Sequence, residues 1–174
     1  VGSEMCIRDR FSGYFMTPHN FNGSGNVDYA LNRSFCGGMY ENVYLHIFNN
    51  TRRLIASCDE QGLTDYAGMM RVVQAYAVQM LTDVYGPVAY TSCIEDPTNG
   101  ASFSYDTQQS IYNSIFELLD KALQDFQSPK STLEERQSFD YWCNGDLDMW
   151  IQVANQLKLR AALRIVKALS LIHI

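Results

Sequence analysis

The sequence has no long apolar run and few basic residues, and each shortage argues against a class of protein. No stretch approaches the roughly 20 apolar residues that a membrane-spanning helix needs. Lysine and arginine number 13 against 19 aspartates and glutamates, which gives a formal net charge of −6. Because nucleic acids are bound through basic surfaces, this balance argues against a nucleic-acid partner.

Motifs that would place chemistry on the chain are also missing. There is no C-x-x-C pair, no H-E-x-x-H, no G-x-S-x-G and no glycine-rich phosphate loop, so we predict no metal, cofactor or catalytic residue. Neither His19 nor His46 stands at ligand spacing from a cysteine. We interpret the internal cysteines as buried or partly buried thiols: Cys36, Cys58, Cys93 and Cys143.

The two ends of the chain correspond to inverted copies of one DNA string. Codons for residues 5–10 can be written so that their reverse complement encodes residues 169–174, as expected of a sequencing-library adapter. Two unrelated native termini would rarely match in this way, and such scars are excluded before fold reasoning. We expect residues 1–10 and 169–174 to be adapter-derived rather than native, and residues 11–168 to be part of a helical domain.

Apolar residues recur at helical spacing over most of the remaining chain. The hydrophobic fraction of 47% is that of a globular domain. Residues 11–37 and 87–105, rich in turn formers, are predicted to be loops. Stripes at i, i+3, i+4 and i+7 predict four helices, at about 38–59, 64–85, 107–126 and 147 to at least 168.

Residues at the ends of these segments match signals that begin and end helices. Gly62 and Gly86 are predicted to end the first and second helices. We expect the N-caps of the three later helices to be Thr64, Asp106 and Asp146.

The last helix carries two apolar stripes rather than one. A helix that is apolar on two faces is expected to be covered on both. Hairpins with short and long connections then predict an all-α fold, with antiparallel helical hairpins in a tetratricopeptide-like layered array with long loops. No strict repeat is visible. The first stripe is Trp150, Ala154, Leu157, Ala161 and Ile165, and the second is Leu159, Leu163 and Val166.

Three stretches, in order, resemble motifs of the SusD/RagB family. Residues 70–90 resemble its "R-A-Y … L-T-D-x-Y-G-D-V-P-Y" segment, and residues 105–122 its "Y-D-x-Q-x-x-I-Y … L-x-x-A" helix. Residues 140–160 resemble its most distinctive stretch, "D-x-x-Y-x-G-D … W-x-x-x-A-N-S-L-x-L-R". The chain departs from the first motif at Pro87, where aspartate is usual, and at Ala89, where proline is usual, and the position of proline sets the local turn.

This resemblance implies a nutrient-binding, lipid-anchored protein on the outer-membrane surface. Such a protein captures an oligosaccharide or peptide and acts as a lid over a SusC-like TonB-dependent transporter, without breaking a bond. We therefore expect this chain to be an internal fragment of a non-enzymatic binding subunit, whose N-terminal lipid anchor lies outside it.

The residues that carry the resemblance are interpreted as structural: Asp83, Tyr85, Gly86, Trp150, Asn155, Leu157 and Arg160. The tryptophan and the leucine are expected to anchor the core. The asparagine and the arginine lie on a largely buried helix and should therefore form hydrogen bonds. Asp83 opposes the dipole at the end of its helix, so we expect a compensating donor nearby, either Arg71 or Arg160.

A sugar-binding site needs aromatic faces against which pyranose rings stack. The loops offer several aromatic side chains: Tyr14, Phe21, Phe103, Tyr105 and Trp142. Trp142 is the first choice for a ligand-binding residue, because a large aromatic in a polar loop is costly unless something covers it.

Two other functions are compatible with a helical domain. A helical-barrel glycoside hydrolase needs two carboxylates facing each other across a cleft, but the acids here fall mostly at caps and on exposed stripes. A generic helical scaffold for a protein partner would need no transporter and no lipid anchor.

Overall fold

The computed structural model describes the backbone of residues 33–95 and 103–170, and the side chains of residues 37–94 and 103–166. In these stretches the chain is helical apart from turns and one isolated antiparallel bridge between Val88 and Asp106. The all-α prediction is confirmed. The helices are α1 (Arg33–Asn42), a π-helical segment (Val43–Phe48), α2 (Asn49–Gln61), α3 (Thr64–Tyr85), α4 (Thr91–Glu95), α5 (Gln108–Asp125), α6 (Leu133–Gln137) and α7 (Leu147–Ser170).

Two compact units divide the chain between Asn42 and Val43. The described part of the first unit is α1, in which the Asn42 side-chain amide donates to the Gly38 carbonyl over 2.7 Å. The second unit contains all the other helices and the core. No helix within the described residues is both long and apolar enough to cross a membrane. The predicted adapter-derived ends lie outside the described residues except for residues 169 and 170, which continue the backbone of α7.

The predicted first helix, 38–59, is interrupted in the structure by the π-helical segment. Just after it, the Thr51 hydroxyl donates to the Ile47 carbonyl over 2.8 Å, and the Asn50 amide donates to the His46 carbonyl over 2.7 Å. Such side-chain bonds compete with regular backbone pairing one turn earlier, which is consistent with the wider turn at this point. Gly62 ends α2 at φ 71°, as predicted.

The core is built around α3, which packs against α5 on one side and α2 on another. Gly68 allows the close approach of α5, because a Cβ at this position would lie 2.7 Å from the Phe126 ring. Arg71 crosses between the neighbouring helices: its guanidinium donates to Asp59 of α2 over 2.8 Å and also to Asp125 of α5. Burial nevertheless raises the pKa of Asp125 despite this partner.

Two predicted N-caps are wrong. Thr64 is the first residue of α3, and its hydroxyl donates to the Ser128 carbonyl over 2.7 Å. The cap of α5 is Thr107, whose hydroxyl accepts the Ser110 N–H over 3.2 Å. The Asp106 carboxylate instead accepts backbone N–H groups from the segment after α3. Tertiary contacts therefore outweigh the local capping pattern. The third cap, Asp146, is confirmed, because its carboxylate accepts the backbone N–H of Asp148 over 2.9 Å at the start of α7.

The short helices α4 and α6 were not anticipated, since five residues are too few to display a helical period. For α6 a local signal was present. Thr132 and Glu135 form a capping box, in which each side chain accepts the backbone N–H of the other residue.

Only one of the two stripes of α7 is covered within the described residues. Trp150, Ala154 and Ala161 are buried, mainly against α5. The second stripe is half or more exposed, so the prediction that both faces are covered is wrong for this part of the molecule. The second stripe is Leu159, Leu163 and Val166.

Candidate functional site

A single carboxylate organises the loop between α6 and α7, residues 138–146, hereafter the Asp140 loop. Asp140 Oδ1 accepts the backbone N–H groups of Trp142 over 3.0 Å and of Cys143 over 3.2 Å. Its Oδ2 accepts the Gly145 N–H over 3.0 Å and the indole N–H of Trp150 over 2.7 Å. Burial alone would raise the pKa of Asp140, but these donors outweigh it and the pKa is lowered. The carboxylate therefore stays charged and shapes the loop.

Arg136 of α6 fixes the far end of the same loop. Its Nε donates to the Gly145 carbonyl over 2.8 Å, and its Nη1 donates to the Ser131 carbonyl over 2.6 Å. The same guanidinium lies 3.4 Å from Asp65, a fully buried carboxylate at the start of α3. Burial opposes the charged form of Asp65, yet hydrogen bonds from Ser131 lower its pKa. The loop is thus tied to the core helix through a buried ion pair.

Three aromatic side chains project from this anchored loop. Phe139, Tyr141 and Trp142 are all mostly exposed, with 63% of Trp142 open to solvent. The Trp142 ring lies nearly parallel to that of Trp150, with 5.9 Å between centroids and 19° between planes. Trp150 is 3% exposed, as predicted for a core anchor. Trp142 therefore rests on the core on one side and is open on the other.

A second loop, residues 103–107, hereafter the Asp106 loop, also displays aromatic side chains. Phe103 and Tyr105 are exposed there. Asp106 Oδ2 accepts the backbone N–H of Tyr90 over 2.8 Å and of Thr91 over 2.7 Å, which ties this loop to the one after α3. The Asp106 carboxylate thus accepts backbone N–H groups, and neither tryptophan indole donates to it.

Asp83 lies near the end of α3, and its partners are not the arginines that were predicted. Its Oδ1 accepts the Tyr112 hydroxyl over 2.6 Å, and Arg164 Nε lies 3.1 Å from its Oδ2. The prediction of Arg71 or Arg160 is wrong, because Arg71 is engaged by α2 and α5. Burial and the bond to Asp83 raise the pKa of Tyr112 to about 12. This cluster joins α3, α5 and α7 and has the character of a structural contact.

The polar motif residues of α7 differ from expectation. Asn155 and Arg160 are exposed rather than buried, because they fall on or beside the uncovered face. The Arg160 guanidinium lies 6.0 Å from the centre of the Tyr76 ring, within the range of a cation–π contact. Leu157 is half-buried. At the end of α3, Tyr85 is half-buried, while Gly86 adopts φ 75° and its N–H donates to the Thr82 carbonyl, so it ends the helix as predicted.

Sequence reasoning missed the residues that build the Asp140 loop. Asp140 was recognised as part of a motif without a role, and Arg136 and Asp65 were not singled out. The available signal was an aspartate shortly before a glycine, a pattern in which the carboxylate bonds to backbone N–H groups of a turn. No group of three or more metal-ligating side chains occurs among the described residues.

Comparison with protein-family models gives a match over residues 3–170 to the model described as SusD-like, "Susd and RagB outer membrane lipoprotein". The chain belongs to the SusD-like family. The three motifs of the resemblance thus lie on α3 and its following loop, on the Asp106 loop with α5, and on the Asp140 loop with α7.

Solved structures agree with this assignment to the SusD-like family. A chitin-binding SusD homologue from Flavobacterium johnsoniae is 28% identical, with a TM-score of 0.78 over 95% of this chain and 34% of that one. A SusD homologue from Bacteroides vulgatus ATCC 8482 is also 28% identical, with a TM-score of 0.62 over 80% of this chain and 28% of that one. A structure described as a chitin-binding protein is 27% identical, with a TM-score of 0.67 over 79% of this chain and 28% of that one. The chain spans about a third of the length of these three structures. No curated protein sequence matches it significantly.

Proposed function

We propose that this SusD-like chain is part of a cell-surface, outer-membrane lipoprotein that binds a glycan and passes it to a SusC-like TonB-dependent transporter. It binds its ligand without cleaving it. Family membership supports this role, as do two solved relatives described as chitin-binding. A peptide ligand is the alternative within the same uptake role.

The observation that carries the proposal is the open indole of Trp142. Trp142 is 63% exposed, while its loop is held by hydrogen bonds of Asp140 and Arg136. Exposed aromatic rings stack on the C–H face of a pyranose, because the face of the aromatic ring is electron-rich. A rigid loop with an open indole therefore suits a sugar chain, and Trp142 is the proposed contact residue.

The test is binding of a chitin hexamer (β-1,4-linked N-acetylglucosamine) to the purified chain, measured by isothermal titration calorimetry. Trp142→Ala should weaken binding at least about tenfold, the loss expected when a central aromatic contact is truncated. The matched control is Tyr105→Ala, which removes an exposed aromatic from the other loop and should change the affinity by less than about twofold.

Three results would contradict the proposal. If the wild-type chain bound an unstructured peptide but not the hexamer, the peptide alternative would be favoured. Binding of neither ligand would favour the scaffold hypothesis. Shortening of the hexamer during incubation, detected by chromatography, would indicate a glycoside hydrolase.

A further inference from the structure

Both tryptophans of the sequence are held by the same carboxylate. One oxygen of Asp140 accepts the backbone N–H of Trp142, and the other accepts the side-chain N–H of Trp150. Asp140 is only 8% exposed, so water competes little for either oxygen. The backbone of Trp142 and the indole of Trp150 are therefore fixed to the same carboxylate.

The two rings form a near-parallel stack that leaves Trp142 with one covered and one open side. Trp150 is itself fixed in the core on α7. A side chain stacked on a fixed ring has few rotamers left to lose when a ligand binds, and such ordering normally reduces affinity.

We infer that Asp140 is a positioning residue, which, together with Trp150, prebuilds a one-sided stacking site on Trp142 for a flat-faced pyranose. The ligand class is a chain of sugar rings whose substituents are mostly equatorial, so that axial C–H groups face the indole. This inference rests on the proposed function and adds how the site is assembled and which face of a sugar it takes.

The size of the effect follows from the ordering cost. Immobilising a side chain on binding costs about 0.5–1.5 kcal/mol, which is about 3- to 10-fold in affinity. Replacing Asp140 by asparagine keeps its size, but the amide nitrogen cannot accept the two N–H groups that one of the oxygens now accepts. The Trp142 ring should then sample several orientations.

The experiment compares wild type with Asp140→Asn for chitin-hexamer affinity by calorimetry and for the exciton couplet of stacked indoles in circular dichroism. With two tryptophans in the chain, the couplet reports this pair alone. We expect Asp140→Asn to weaken binding about 3- to 10-fold and to diminish the couplet. Asp146→Asn is the matched control: it removes an exposed carboxylate from the same loop, asparagine caps helices equally well, and both signals should stay as in wild type.

A second variant keeps the inference testable if Asp140→Asn fails to fold. Trp150→Phe keeps an aromatic ring beneath Trp142, removes the N–H donated to Asp140 together with part of the ring surface, and leaves Trp142 as the single tryptophan. Its tryptophan fluorescence anisotropy should rise when the hexamer binds, because the ligand then orders a ring that was free, and hexamer binding should weaken about threefold.

Unchanged couplet and affinity in Asp140→Asn, with binding still lost in Trp142→Ala, would overturn the positioning role and leave the proposed function standing. A Trp150→Phe variant whose tryptophan anisotropy does not change when the hexamer binds would overturn it as well. Failure of the wild-type chain to bind the hexamer would overturn both the site and the proposed function.

Discussion

The Asp140 loop and the Asp106 loop use the same device for different purposes. In each, a carboxylate gathers backbone N–H groups, and in each, exposed aromatic side chains lie next to it. Asp106 ties two loops together and leaves Tyr105 projecting without an indole beneath it. Asp140 additionally binds the indole of Trp150, on which Trp142 stacks. The difference teaches that an exposed aromatic residue becomes a candidate binding surface when the core beneath it fixes its orientation.

The largest expected effect is on the free energy of unfolding, which should differ between variants of the two loops. Trp150→Ala should destabilise the fold by about 3–5 kcal/mol, because it opens a cavity under the Asp140 loop and removes the donor to Asp140. Phe103→Ala, in the Asp106 loop, should cost less than about 1 kcal/mol, since that side chain is exposed. Urea unfolding followed by far-ultraviolet circular dichroism measures both. Equal midpoints would mean that the Asp140 loop is no better anchored than the other.

A smaller effect tests how tightly the Asp140 loop closes on α6. Gly145 has φ 76°, and a Cβ there would lie 2.8 Å from the Gln137 nitrogen. Gly145→Ala should therefore cost about 2–3 kcal/mol, through backbone strain and a collision with backbone that cannot move aside. Gly62→Ala shares the positive φ but meets nothing within 4 Å, so strain alone should cost about 1 kcal/mol. Thermal unfolding measures the loss of stability in both variants. A larger loss in Gly62→Ala than in Gly145→Ala would refute the close packing.

The smallest effect concerns pH. Because the folded-state pKa of Asp140 is lowered, its contribution is fully present above the ordinary aspartate pKa of about 3.9 and is lost as the pH falls through the folded value. The indole couplet and hexamer affinity should hold steady from pH 8 to 5 and decline only in stronger acid. Asp140→Asn lacks this titration and should give a flatter couplet profile. A wild-type decline already near pH 6 would assign the loss to another group.

The helices were predictable because their apolar periods are long, whereas the candidate site depends on contacts that no period encodes. The spacing of α3, α5 and α7 placed them within a few residues of their observed ends. The partner of Asp83 was missed because Arg164 lies on α7, which is distant in sequence, and pairing between helices depends on how they pack. Trp142 could be chosen from the sequence because it is a large aromatic residue in a polar loop. Its stacking on Trp150 could not be predicted from the sequence.

The two stripes of α7 show a second limit of sequence reasoning. Leu159 and Leu163 were assigned to an interface from hydrophobicity alone, yet both are exposed in the part of the chain that the structure describes. Periodicity identifies a face that is suited to burial, but whether a neighbour covers it is decided by other parts of a molecule.

Cys143 gives the Asp140 loop a built-in chemical probe. Its side chain is buried within the loop, and burial together with the nearby Asp140 and Asp146 carboxylates raises the pKa of its thiol. Alkylating reagents attack the thiolate and need access to it, so we expect this sulfur to react when the Asp140 loop opens. The rate of its modification should therefore report how often the Asp140 loop opens in the native protein.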